Sequence, residues 1–396
     1  MAQKIDVIVV GAGPVGFLTA LGLARAGLTV RVLEAEAAIS ESPRAALYFP
    51  TTVKILDQLG LLDEANAIGM QASEFCYHVP STGTRICIDT SVGLPPDEPY
   101  PYNLHFGQHL LAKLVLSHLE RMPNAEVSFN SRVTGIEHGT DSVTVTINTP
   151  EGVKQMTGGW LVGADGGRSG VRHLLGLPFE GHTWPDRFVA TNVSFDFGRY
   201  GFAAANMVAD PDNWAVIAKL GRENLWRVTY GEDASLPEEE ALRRVPDHYA
   251  AILPAPDEAY EIVAASPYRV HERCAPRFRV GHVLLAGDAA HVCNPCGGMG
   301  LTTGVIDAMA VVDVLKAVIM KRRDESVLDF YSNERRRVFL EVSSPLATEF
   351  KRRMSERDPE ARRRDEAMMR QMAEDPAKAP SATLLAEQLF GAPMPV

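Results

Sequence analysis

The residues able to do chemistry in this sequence fall into three glycine-rich segments. The first, Gly11-Ala-Gly13-Pro-Val-Gly16, follows the β-branched run of residues 4–10 and precedes the alanine- and leucine-rich stretch Phe17 to Gly27. Glycines at this spacing permit a tight turn and let backbone N–H groups approach a pyrophosphate. The helix that follows adds a favourable field for negative charge. Glu34 ends the next strand, where a carboxylate accepts hydrogen bonds from a ribose diol. Strand, helix and acid in register predict a dinucleotide site.

The second segment is Gly163-Ala-Asp165-Gly166-Gly-Arg168-Ser169 and the third is Leu285-Ala-Gly287-Asp288-Ala-Ala-His291, followed by Pro295 and Gly297-Gly298-Met-Gly300. Each lies between a short apolar run and a helical pattern. Asp165 reads either as a ligand contact or as a helix cap. Asp288 is placed to hold a chain of hydroxyls, and the helix opening near Thr302 favours negative charge on a reduced ring. Cys293 and Cys296 frame a CxxC within the third segment. No second CxxC or close histidine pair completes a zinc set, so the spacing reads as a tight loop. His291 reads as a local hydrogen-bonding residue ahead of a catalytic base.

These segments need positioning elements. Residues 4–34 form a βαβ opening of about 30 residues. Helices are predicted over Thr51 to Leu61, Gln108 to Arg121, Thr302 to Lys321, Asp324 to Val342 and Leu346 to about Glu374. Residues 126–148 read as a strand pair. From Asp186 to Tyr230 the pattern alternates with aromatics and predicts antiparallel strands. The last 20 residues hold three prolines and read as a loose tail.

Composition narrows the function. The chain has 396 residues with 46% apolar and 22% charged residues, an ordinary globular balance. A net charge of -11 argues against a nucleic-acid partner, and no run of 18 apolar residues suggests a membrane span. The N-terminus lacks the features of a signal peptide, which predicts a cytoplasmic protein. The five cysteines then read as free thiols. The charged stretch 351–370 reads as a solvated helix face, available for packing across a dimer; monomer and homodimer both stay open.

Together, GAGPVG with Glu34, GADGGRS, and GDAAH followed by Pro295 and the glycines to Gly300 resemble the single-component FAD monooxygenases, the aromatic hydroxylases typified by para-hydroxybenzoate hydroxylase. The resemblance covers about residues 4–345. It implies an α/β fold: a Rossmann-type FAD-binding domain with an interleaved antiparallel sheet lobe for substrate and C-terminal helices. The domain boundaries it suggests are 1–75, 100–180 and 275–345 for FAD, 76–99 and 181–274 for the substrate lobe, and 346–396 for a helix and tail.

It also implies residue roles. Gly11, Gly13, Gly16 and Glu34 hold the ADP half of FAD, with Val133 beside the adenine. Arg44 lies near the pyrophosphate, while Gln108 and Asp288 meet the ribityl chain. Pro295, Gly298, Gly300 and Thr302 flank the flavin ring, and Asp165 serves both FAD and a transient nicotinamide. His105 stands where relatives often carry arginine, and Thr302 where many carry asparagine. The implied reaction uses NADH or NADPH as reductant and O₂ as co-substrate. Oxygen passes from a flavin C4a-hydroperoxide to a small aromatic or N-heteroaromatic ring. A larger polycyclic phenol and a flavin-dependent reductase remain alternatives. The four tryptophans never fall two apart, against a tryptophan-type halogenase.

For substrate, the candidates are Tyr48, Trp214, Trp226, Arg227 and Tyr230. Trp226 and Tyr230 share one strand face and Arg227 takes the other; which face meets the ligand stays open. Tyr230 and His105 are candidate catalytic residues, and Lys219 or Arg227 a candidate partner for a substrate carboxylate.

Overall fold

The structure, a computed structural model, describes residues 4–92, 94, 97–375 and 382–396. The β-branched run at the N-terminus becomes the strand Ile5–Val10, central in a sheet ordered Arg279–Val280, Val283–Leu285, Gly152–Gly163, Ile5–Val10, Val30–Leu33, Ala125–Ser128. The inner pairings of this path are parallel, as a strand buried on both faces requires. The helix Pro14–Arg25 returns the chain between its first two strands and packs on the long helix Met299–Ile319. That contact is close: a methyl group at Gly22 would lie 2.7 Å from Val312 Cγ2.

The region 126–148 differs from the expected strand pair. It holds three strands, Ala125–Ser128, Arg132–His138 and Val143–Thr149, and the last pairs antiparallel with Gly152–Gly163. That twelve-residue strand therefore serves a hairpin at its start and the parallel sheet at its end.

A second sheet of eight strands contains Glu180–Ser194, Leu225–Asp233, Ala215–Lys219 and Glu261–Cys274, with the hairpin Glu74–Val79 and Thr84–Asp89 at one edge. Its two faces carry different cores. On the outer face, Val189, Val193, Trp226, Val228 and Tyr230 pack against the helix Val245–Ile252. On the inner face, Phe188, Trp214 and Tyr268 pack with Cys296 of the third glycine segment. A three-stranded sheet of Leu47–Tyr48, Asn103–His105 and Met70–Ala72 lies in the chain between them.

Three expectations are corrected here. Cys76 and Cys87 face each other across the edge hairpin, 4.1 Å apart at Cα, and form a disulfide, so not every cysteine is a free thiol. Antiparallel register, invisible in a sparse cysteine count, sets them opposite. The described part of the tail is also ordered. Ala382–Phe390 is a helix whose Leu389 enters the main core, because two leucines outweigh the nearby prolines. Finally, the stretch 351–370 is not simply a solvated face. Lys351, Met354, Asp365 and Met369 are buried, and the helix Pro359–Glu374 lies on the strand Thr84–Asp89 of the same chain.

The other C-terminal helices run Ser326–Val338, a π-helical turn Phe339–Ser343, then Ser344–Ser355, so the expected break near 342–346 falls instead at 356–358. No helix among the described residues is long and apolar enough to cross a membrane.

Candidate active site

The three glycine segments converge. Gly11 has φ +109°, a left-handed conformation open to glycine, and a methyl there would lie 2.3 Å from Ala164 O. A methyl at Gly16 would lie 2.0 Å from Gly11 O. These two glycines are required by packing of the first segment on itself and on the second. Gly13 differs, because a methyl there meets nothing within 4 Å. The helix Pro14–Arg25 opens at Gly13 with no side-chain cap, so its first free N–H groups have no side-chain acceptor among the described residues.

Glu34 closes the segment from the second strand. Its carboxylate accepts from Ala12 N at 2.7 Å and Glu36 N at 2.9 Å, and it retains lone pairs for a diol. Ser131 N donates to Glu34 O at 2.7 Å, which brings the strand bearing Val133 alongside.

Asp165 caps a helix. Its carboxylate accepts from Ser169 Oγ at 2.5 Å and from Val171 N at 3.0 Å. Burial raises its pKa above the usual carboxylate range, and these bonds pull the other way. Arg172 ties the second segment to the third: it donates to Gly167 O and to Ala289 O, each at 2.9 Å.

Asp288 is exposed to solvent. Water reaches its side chain, yet protein surrounds it closely enough that burial raises its pKa; His291 and Arg44 oppose that shift. Exposure combined with enclosure is what a recess open to solvent produces. Beyond it, Asn294 accepts from Cys296 N at 3.1 Å and Pro295–Gly297 makes one 3-10 turn. Gly298 then adopts φ +67° and starts the 21-residue helix Met299–Ile319, again without a side-chain cap. Thr302 Oγ1 donates to Gly298 O at 3.1 Å and is buried, so what it leaves toward the cleft is backbone. Gly300 sits in the first turn with space beside it.

Three features fit a dinucleotide-sized flavin: the open side of Gly13, the enclosed carboxylate of Asp288 and the two uncapped helix starts. Arg44, on the loop before Leu47–Tyr48, is close enough to Asp288 to lower its pKa. Gln108 begins the helix Gln108–Leu119, and its N donates to Ala45 O at 3.0 Å.

The substrate candidates divide. Arg227 faces inward: its Nε donates to Asn192 Oδ1 at 2.7 Å and its Nη1 to Arg44 O. Burial pushes its pKa down to about 10, and no carboxylate pairs with it among the described residues. Trp214 lies on the same inner face, 4.8 Å from the Phe188 ring and under the Lys351 ammonium, as a buried wall. The register sends Trp226 and Tyr230 the other way. Trp226 packs on Phe197 at 5.3 Å and Tyr230 on His248 at 4.3 Å, and the Tyr230 hydroxyl has no hydrogen-bond partner. Both are outer-core residues, and their assignment to the pocket is corrected. Lys219 lies 5.6 Å over the Trp226 ring. Tyr48 is likewise core: it is fully buried, stacked on Phe106 at 4.4 Å.

His105 is fully buried, with Nδ1 3.3 Å from Lys219 O and Nε2 unpartnered; burial depresses its pKa to about 4. His291 is held by Asp307 at 2.7 Å behind the loop, a local hydrogen-bonding role. Burial pushes the Cys293 and Cys296 thiols up, away from the reactive thiolate. Sequence reading missed Phe49, Phe350 and Tyr268. Methyls at Gly298 and Gly297 would lie 3.0 Å from Phe49 and 2.6 Å from Phe350, and Tyr268 shares the inner face with Arg44 and Arg227 nearby. These contacts join distant chain segments, and no local motif announces them.

Comparison with known proteins agrees with this geometry. The family model described as "FAD binding domain" matches residues 4–344. The chain is 45% identical over 388 residues to para-nitrophenol 4-monooxygenase of Pseudomonas sp. (strain WBC-3), covering 97% of this chain and 96% of that one. It is 45% identical over 360 residues to 6-hydroxy-3-succinoylpyridine 3-monooxygenase HspB of Pseudomonas putida (strain DSM 28022 / S16), covering 91% of each. Its structure matches the crystal structure of p-nitrophenol 4-monooxygenase PnpA from Pseudomonas putida DLL-E4 with a TM-score of 0.94 at 42% identity, over 99% of this chain and 100% of that one. The chain belongs to the FAD-dependent aromatic hydroxylases of the para-hydroxybenzoate hydroxylase type. It is a flavoprotein monooxygenase that uses FAD and O₂.

Proposed function

We propose that this enzyme takes electrons from NADH or NADPH and hydroxylates a single-ring phenol or hydroxypyridine that carries a negatively charged or strongly electron-withdrawing group. The observation that carries the reading is Arg227: a guanidinium buried on the inner face, without a carboxylate partner among the described residues, joined to the loop of Arg44. A buried unpaired cation beside a ligand cleft is costly unless an anion arrives. The two relatives at 45% identity, whose names specify a nitrophenol and a succinoyl-hydroxypyridine, support this class.

The chemistry that FAD supplies when bound is activation of O₂ for transfer to the ring. Gly11 to Gly16, Glu34 and the strand of Val133 hold its ADP half; Arg44, Gln108 and Asp288 hold its middle. The 295–302 loop flanks the ring, and Asp165 acts on it through the helix cap that shapes the second segment. Arg227 binds the negative end of the substrate and favours the phenolate over the phenol. An ionised ring is richer in electrons at the attacked carbon. Phe49, Phe350 and Tyr268 line the apolar side of the cleft and exclude water. With a pKa of about 4, His105 stays neutral near pH 7. Its Nε2 offers a neutral hydrogen bond, and it is too weak a base to take the phenolic proton.

The test is turnover in air. NADH and NADPH oxidation is followed with 4-nitrophenol, hydroxypyridine carboxylic acids, neutral phenols and polycyclic phenols, and ¹⁸O₂ incorporation is measured. Stimulation with one labelled oxygen inserted is expected for the anionic single-ring compounds. Equal stimulation by neutral phenols, or response only to the polycyclic ones, refutes the proposed class; stimulation without label points to a reductase.

A further inference from the structure

A chain of buried polar contacts runs from the flavin-facing loop to the C-terminal segment. Asp307, on the helix Met299–Ile319, is fully buried, and its Oδ2 accepts from Gly287 N at 3.0 Å and His291 Nε2 at 2.7 Å. Its Oδ1 accepts from Arg335 Nε at 2.7 Å. Arg335, on the helix Ser326–Val338, is also fully buried. Its Nη1 donates to Leu389 O at 2.8 Å and Phe390 O at 3.0 Å, while its Nη2 finds no partner among the described residues. The neighbouring Glu334 accepts from Ala392 N at 2.6 Å. Arg335 thus has two anchors: the carboxylate that holds the Asp288 loop and the carbonyls that end the last helix.

From this arrangement we infer that residues 382–396 are a strap that sets the FAD affinity of the enzyme, with Asp307 and Arg335 as the positioning residues that transmit it. Gly287 immediately precedes Asp288, so the bond from Gly287 N to Asp307 fixes the backbone that aims the Asp288 carboxylate. Without the strap, Arg335 loses the acceptors of Nη1 while Nη2 is already unpartnered. A buried guanidinium in that position rearranges to recover partners, and Asp307 is the group it moves. The loop then closes less well on the flavin. The coupling is reciprocal: flavin that orders the loop also tightens the strap.

The inference rests on assignment of the Asp288 loop to FAD, so the experiment tests the two separately. Full-length Asp288→Ala is the control for the loop, and its FAD dissociation constant is expected to rise about tenfold or more. Deletion of residues 382–396 is expected to raise that constant about tenfold, with native far-UV dichroism. A folded truncated enzyme that binds FAD as tightly as the full chain overturns the strap. If Asp288→Ala leaves FAD affinity unchanged, the loop assignment falls and the strap with it.

A second measurement needs no variant. Amide exchange at Gly391 and Ala392 is compared in the FAD-free and FAD-bound full-length enzyme. Slower exchange with FAD supports the coupling, and equal exchange overturns it. A merely structural tail lowers Tm but leaves both the affinity and the exchange difference unmoved.

Discussion

Arg227 Nη1 donates to the backbone carbonyl of Arg44, joining the middle of the second sheet to the loop beside the Asp288 recess. The contact holds the guanidinium against the loop of Arg44. It occupies one arm of the fork, and Nε is taken by Asn192. Nη2 makes no hydrogen bond among the described residues, and it is the arm the proposed function assigns to the substrate.

Replacing Arg227 with Met therefore removes the anion contact while keeping most of the side-chain volume. For an anionic substrate, kcat/KM is expected to fall between roughly ten- and a hundredfold, the loss of a charged hydrogen bond worth about 1.5–3 kcal/mol. Neutral phenols should lose much less. Steady-state kinetics on matched charged and neutral substrates decide it; equal losses for both would mean that Arg227 only supports the fold.

Gly13 and Gly16 separate ligand binding from packing. Gly13→Ala points its methyl into open space and should raise the FAD dissociation constant about tenfold while the Tm of the FAD-free protein barely moves. Gly16→Ala drives a methyl toward a backbone carbonyl and should destabilise the FAD-free fold itself, by about 1–3 kcal/mol. Titration with FAD and thermal melts of both variants make the comparison. A Gly13→Ala enzyme with undiminished FAD affinity would remove the pyrophosphate from that side of the loop.

Tyr230→Phe should leave turnover and coupling intact. The hydroxyl points to the outer core and is unpartnered there, so its removal is neutral or stabilises by up to about 1 kcal/mol. Peroxide release and product yield are the readouts. A marked rise in uncoupled peroxide would return Tyr230 to the cleft.

His105 gives a pH signature. Its folded pKa of about 4 lies below the ordinary 6.5. Above pH 6.5 the ring is neutral whether the chain is folded or not, and its contribution is fully present. Between about 6.5 and 4 the unfolded chain binds a proton that the folded chain refuses, so stability falls with pH, by about 3 kcal/mol across the window. His105→Gln should flatten that slope in urea melts recorded from pH 7 to pH 4. Parallel slopes for the two proteins would contradict a buried neutral ring.

Much of the backbone geometry proposed to hold the cofactor was legible in the sequence because its signals are local. Gly13, Gly16 and Glu34 owe their geometry to neighbours within one βαβ unit, Gly11 also packs against Ala164 of the second segment, and Asp288 sits in a local 3-10 turn. The substrate face was not legible. Alternation separates Arg227 from Trp226 and Tyr230, but only the helix Val245–Ile252 decides which side is covered, and that contact is tertiary. Phe49 and Phe350 arrive from opposite ends of the chain. The Cys76–Cys87 bond depends on strand register, and the ordering of the tail depends on a pocket for Leu389 built by other helices.

The strand Leu225–Asp233 carries two interleaved messages. Odd-numbered positions such as Arg227 face the loop of Arg44, the side proposed for the substrate, and even-numbered ones such as Trp226 and Tyr230 speak to the outer core. Because the messages share no residue, one can be rewritten while the other is kept. A descendant of this enzyme can thus change position 227 without disturbing the packing of the outer core. The scaffold separates the evolution of its chemistry from the upkeep of its fold.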